Sequence, residues 1–184
     1  KVHVENVQSA FPVGPLAILY AAAKDLNLQD YISSVISKEL AKPILCITLN
    51  QATAKVPLYR LADWIGASPL PKWEGINAQN LTRKHFEDAL SALCYFTPQK
   101  TWENKGYLLQ KTLTKAWRGT SREPAGAYYD ITKQSYYGAH CPYGQLGHNE
   151  DGGTSLVIGF SMVVSKDIII PFSARHFQEA ERFT

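Results

Sequence analysis

The chain has 184 residues, 45% of them hydrophobic, with four Trp, ten Tyr and seven Phe; that is enough apolar material for a packed core and excludes wholesale disorder. Its length suits one domain, or one domain plus a small appendage, and a net charge of +3 admits a nucleic-acid partner without demanding one. No apolar run approaches the roughly 20 residues that cross a bilayer, so a membrane-spanning role is not expected.

The three cysteines, Cys46, Cys94 and Cys141, are widely spaced, odd in number and free of any Cys-x-x-Cys pair. A disulfide framework is therefore not expected, and a reducing, cytoplasmic setting fits better. The N-terminus, Lys1-Val-His-Val-Glu5, has no signal-peptide pattern and no initiator Met, so the chain reads as a fragment or a processed piece.

Taken in order, the first 120 residues read mostly as helix. Leu16, Leu19, Tyr20, Ala23 and Leu26 recur at helical spacing after Pro12 and Gly14. Tyr31 to Leu40 form a second amphipathic segment. Pro43 suits the first turn of a helix whose body, Ile44 to Leu49, is apolar nearly all round and so is expected to be central. Leu58, Leu61, Ala62 and Ile65 form a stripe that starts near Pro57 and should stop at Gly66.

Residues 67–80 hold two prolines, a glycine and two asparagines and read as a loop. Asn80 or Thr82 can cap the next helix, with Phe86, Ala89, Leu90 and Leu93 on one face. The longest helical pattern runs from about Thr101 to Arg118, with Trp102, Leu109, Leu113, Ala116 and Trp117 as its apolar stripe. Lys111, Lys115 and Arg118 lie at i, i+4 and i+7 on another face. Such a row either meets phosphates or is simply a solvated surface. Cys46 and Cys94 sit among apolar helical residues and are expected to act as small core hydrophobes.

Residues 119–126, with two glycines and a proline, read as a boundary. Beyond it the period changes from helical to alternating. Leu156–Val164 and Ile168–Phe172 are strand-like, and Ser165-Lys166-Asp167 is short enough for a hairpin turn. Pro171 cannot donate to a ladder, so its strand should be an edge. Phe177 onward reads as a possible helix start.

The stretch that organises this half is Ala127-Tyr-Tyr-Asp-Ile-Thr132. With a period of two, Tyr128, Asp130 and Thr132 face one way and Tyr129 and Ile131 the other. Strands generally avoid Asp, which competes for backbone hydrogen bonds and is costly to bury alone. A bound divalent cation would account for Asp130, since hard ions take oxygen ligands and a rigid strand fixes their position. The alternative is an exposed Asp on a strand face or edge.

Tyr128-Tyr-Asp-Ile-Thr132, then Leu146-Gly-His-Asn-Glu-Asp151, Leu156-Val-Ile-Gly-Phe160 and His176-Phe-Gln-Glu-Ala-Glu-Arg-Phe-Thr184 together resemble the DDE transposases of prokaryotic insertion sequences. The resemblance covers about residues 127–184. It implies an α+β chain: a helical N-terminal domain over residues 1–122, for DNA binding or oligomerisation, then the first three antiparallel strands of an incomplete ribonuclease-H-like catalytic domain over 123–184. It also implies Mg²⁺- or Mn²⁺-dependent phosphodiester cleavage and strand transfer at transposon ends. Two ions about 3.5–4 Å apart would stabilise the attacking and leaving oxygens.

By the same resemblance, Asp130 is the first catalytic and metal-binding carboxylate, and the second Asp and the Glu lie outside this chain. This polypeptide alone is then not expected to cleave DNA. Asp151 matches an Asp that orders a loop near the site, or is an Asx-turn residue before Gly152-Gly153. Lys111, Lys115 and Arg118 are the candidate DNA contacts, and a second subunit is a further candidate partner. His140, Cys141 and His148 fit no standard zinc spacing, and no Gly-x-Ser-x-Gly elbow marks a serine hydrolase. The rival readings are a non-catalytic DNA-binding or regulatory fragment and an unrelated metal-dependent nuclease.

Overall fold

A computed structural model describes residues 11–96, 102–118, 126–137, 144–148, 152–165 and 171–177. The chain is α+β and divides into two compact units, Lys1–Leu109 and Gln110–Thr184, with the division falling inside a helix. Among the described residues, no helix is long and apolar enough to cross a membrane.

The first unit is built on α3 (Lys38–Ala52). Its Leu45, Cys46 and Leu49 join one apolar cluster with Leu16, Ile65 and Phe86, while Ala41 and Ile44 join a second with Ile32, Ile36 and Ala89. A helix buried on two sides must be apolar nearly all round, as this stretch is. Pro43 lies well inside α3, not in its first turn, because Ser37 starts the helix earlier; its hydroxyl accepts from Leu40 N–H at 3.4 Å. The donor that Pro43 lacks would have met the carbonyl of Glu39. Glu39 is exposed, so water can serve that carbonyl instead.

Around α3 stand α1 (Val13–Asp25), α2 (Leu28–Ser33), α4 (Leu61–Ala67), α5 (Leu70–Glu74) and α6 (Arg83–Leu93). The segment expected over Tyr31–Leu40 is broken in two. Ser34 turns its hydroxyl back onto the Tyr31 carbonyl (2.6 Å) and Ser37 begins α3. Leu26, expected on the buried stripe of α1, is exposed beyond the helix end. Gly66 lies within α4 and does not end it; the stop comes at Ser68, whose backbone turns extended and whose hydroxyl bonds the Ile65 carbonyl at 2.7 Å.

The presumed loop over 67–80 holds α5 and a 3-10 turn at Ala78–Asn80. Pro69 and Pro71 sit where a helix start has orphan donors anyway, and Gly75, at φ 62°, closes α5 in the left-handed region. Thr82 caps α6: its N–H donates to His85 Nδ1 at 3.2 Å, and its hydroxyl lies 2.8 Å from the same nitrogen. Phe86 and Ala89 are buried, but Leu90 is exposed.

Cys94 and Trp102–Asn104, expected in helical surroundings, lie on strands instead. β1 (Cys94–Phe96) and β2 (Trp102–Asn104) pair antiparallel, placing Trp102 on a strand and leaving Cys94 exposed. α7 therefore runs Lys105–Arg118. Asn104 starts it, its side chain accepting from Tyr107 N–H at 2.9 Å.

In the second unit, β5 (Thr154–Ser165) is the central strand. β3 (Ala127–Tyr136) pairs with it along one edge, Asp130 opposite Met162. β4 (Gln145–His148) and β6 (Pro171–Phe177) pair with its other edge end to end, β4 against Thr154–Val157 and β6 against Gly159–Val164. All pairings are antiparallel. β6 begins at Pro171 with a register shift at Val163/Val164, so the residue without a donor sits where pairing is irregular. The strand expected over Ile168–Phe172 is described from Pro171 and continues to Phe177; residues 166–170, including most of the expected hairpin turn, lie outside the described residues.

Candidate functional site

Asp130 is the fourth residue of β3. Its Oδ1 accepts from the Ile131 N–H at 2.9 Å, and the residue is exposed. The carboxylate thus satisfies part of its hydrogen bonding within its own strand and stays hydrated, which removes the desolvation cost the sequence pattern suggested. Across the ladder, Met162 sits directly opposite, with Tyr128 against Val164 and Thr132 against Phe160. Tyr128, Phe160 and Met162 are exposed too.

A hard divalent cation needs several oxygen ligands. Among the described residues, no group of three His, Cys, Asp or Glu side chains is placed to hold one. Asp130 fits such an ion as one ligand, and the described residues do not complete the set. His148 ends β4 and is exposed; His140, Cys141 and Asp151 lie outside the described residues, as do Glu179 and Glu181.

The three candidate DNA contacts all fall on α7. Lys111 and Lys115 are exposed, one turn apart on one face; Arg118 is the helix's last residue. α7 carries four cationic residues, counting Lys105, and no Asp or Glu. Its opposite side holds the half-buried Leu109, Leu113 and Ala116, and Leu109 packs against the second apolar cluster of the first unit.

Two further features had no clear sequence signal. A cleft of about 520 Å³ opens in the first unit between α3 and the start of α6, with Pro43, Cys46 and Phe86 below and Lys42, Asn77 and His85 around it. Burial pushes the Cys46 thiol up to about 12, so it is a poor nucleophile. Beside it, Glu74 is buried and accepts from Tyr20 Oη (2.6 Å) and Lys24 Nζ (2.9 Å), while Lys42 Nζ donates to its carbonyl at 2.8 Å. These partners are up to 54 residues apart in sequence, which is why no local pattern announces them. Compared with family models, with curated proteins and with solved structures, the chain matches none.

Proposed function

We propose that this chain carries the opening of a ribonuclease-H-like catalytic domain from a DNA transposase, preceded by a helical DNA-contacting portion. The observation that carries the reading is the order β3, β5, β6. Three strands run antiparallel side by side, with a single carboxylate, Asp130, held on the first of them. In this role Asp130 is one ligand for Mg²⁺ or Mn²⁺, and the remaining carboxylates come from outside the described residues. When bound, paired ions would stabilise charge on the reacting phosphate oxygens. The chain's own part is to fix one oxygen donor on a rigid strand and to bring Lys111, Lys115 and Arg118 to the phosphate backbone.

The test is Mn²⁺ titration followed by backbone NMR. Weak, millimolar-range broadening should begin at Tyr129–Ile131 and vanish in Asp130→Asn. Broadening that starts elsewhere, or survives the substitution, removes Asp130 from the metal role. A non-catalytic DNA-binding module is the second reading, favoured by the exposure of Asp130 and by the lack of a ligand trio among the described residues. It predicts duplex binding unaffected by Asp130→Asn and by divalent ions.

A further inference from the structure

The segment leaving α3 is unusually fixed for a surface loop. Asn50 is 2% exposed, and its side-chain amide holds Val56 at both ends: Nδ2 donates to the Val56 carbonyl at 2.9 Å and Oδ1 accepts from the Val56 N–H at 3.0 Å. The Asn50 carbonyl accepts from Lys55 N–H at 2.8 Å and Thr53 N–H at 3.1 Å, and the Thr53 hydroxyl bonds the Leu49 carbonyl. Pro57 then opens a 3-10 turn over Leu58–Arg60, with Val56 and Leu58 packed on the core. Lys55 sits at φ 52°, a left-handed conformation that Gly or Asn adopts at lower cost. A helix could end here without placing a cation at that position.

What the clamp presents is a small basic surface. Lys55 and Arg60 are exposed, Tyr59 is 68% exposed, and the first Asp or Glu after Glu39 is the exposed Asp63, three residues beyond Arg60. Of the other cations of this unit, Lys24 pairs with Glu74, Arg83 with Glu87 and Lys84 with Asp88, while Lys38 and Lys72 are exposed on helices, away from this clamped segment. Lys55 and Arg60 make no ion pair among the described residues. Two cations and a phenol on a pinned backbone suit an anionic polymer, because side chains on an ordered loop lose less entropy on contact.

We propose that the Lys55–Arg60 loop is a second phosphate-contacting surface for duplex DNA, with Lys55 and Arg60 on backbone phosphates and Tyr59 hydrogen-bonding beside them. This rests on the DNA-binding reading above and adds a site to it, on an element separate from α7. The experiment is fluorescence anisotropy of the whole chain on a duplex of about 20 base pairs across a salt series. It compares wild type, Lys55→Glu/Arg60→Glu, Lys111→Glu/Lys115→Glu, and a control of equal charge change, Lys38→Glu/Lys72→Glu, on exposed lysines of the same unit.

The loop variant should bind about tenfold or more weakly, with its log–log salt slope reduced by about 2, while the control keeps wild-type slope. Lys55→Gly relieves the backbone, so it should melt no lower than wild type and still bind more weakly. Wild-type affinity in the loop variant or in Lys55→Gly overturns the proposal, whatever the α7 variant does. Equal losses in loop variant and control reduce the effect to net charge and overturn it as well. Tighter binding to single-stranded RNA, lost in the same variant, would reassign the surface away from duplex DNA. If wild type binds no duplex at any salt while folded, the DNA-binding reading itself fails.

Discussion

Glu74 shows how one buried carboxylate can organise a surface. Its side chain is 4% exposed while that of Lys24 is 48% exposed, so the pair is only half dry and the desolvation penalty falls mainly on Glu74. The Glu74 hydrogen bond raises Lys24 above its ordinary 10.5; burial, then the Glu74 contact, raises Tyr20 above 10.0. Both folded values exceed the unfolded ones. The contribution is therefore fully present below about pH 10 and is lost as pH rises through the folded values. Chemical denaturation from pH 8 to 11.5 should show this alkaline loss, and Glu74→Gln should flatten it; an identical pH profile in the variant would remove the network as its source. At the same scale, Cys46 and Cys94 make opposite predictions. Cys46 is 1% exposed with its thiol pushed up to about 12, and Cys94 is exposed. Iodoacetamide at pH 8 should label Cys94 long before Cys46, read by peptide mass spectrometry. Both cysteines lie among apolar neighbours in the sequence; only the pairing of β1 with β2 separates them, and that pairing is not written in local composition.

Elements were legible where one strong period governed them. α3, α6, β3 and β5 are long patterned runs, and the structure has helix or strand at each. The misses share a cause: short-range polar bonds outcompeted periodicity. Ser34 and Ser37 split one amphipathic run into two helices, the Ser68 hydroxyl accepted from Leu70 N–H at the start of a helix where a loop was expected, and Asn104 moved the start of α7. Asn50 is the clearest case, because a polar residue inside an apolar helix looks like a flaw until its partners six residues on are known. Asn50→Ala would strand the Val56 N–H and carbonyl together, at a cost on the order of 2 kcal/mol or more. Phe86→Ala empties a fully buried site on α6 and should cost about 3–5 kcal/mol. Thermal melts of the two variants should rank them in that order, Phe86→Ala the lower; a Phe86→Ala melt equal to wild type would contradict its place in the apolar cluster.

At the scale of the whole molecule the two units differ in how their apolar residues are spent. The first closes two clusters around α3, and among the described residues nearly every large buried side chain belongs to it. The second is a sheet in which Tyr128, Tyr129, Ile131, Phe160 and Met162 are exposed, on both faces, while Val157 is buried. Alternation along β3 was readable in advance; which of its faces is covered was not, because coverage depends on what packs against a sheet and not on the strand itself. Hydrogen bonds that lack apolar cover open at lower free energy than those inside a core. Native-state amide exchange should therefore find the slowest amides in Ile44–Leu49 of α3, exchanging only with global unfolding. Amides of β3 should exchange orders of magnitude faster, with little dependence on denaturant, since opening the sheet exposes little new surface. If β3 were as protected as α3 in the isolated chain, its exposed faces would have to be covered in solution, by a second copy or by another segment. Adding duplex DNA then separates the cases. Protection gained at Lys111 and Lys115 but not along β3 marks DNA contact by the helix alone, whereas protection spreading onto Tyr129–Ile131 would bring the nucleic acid to the carboxylate of Asp130.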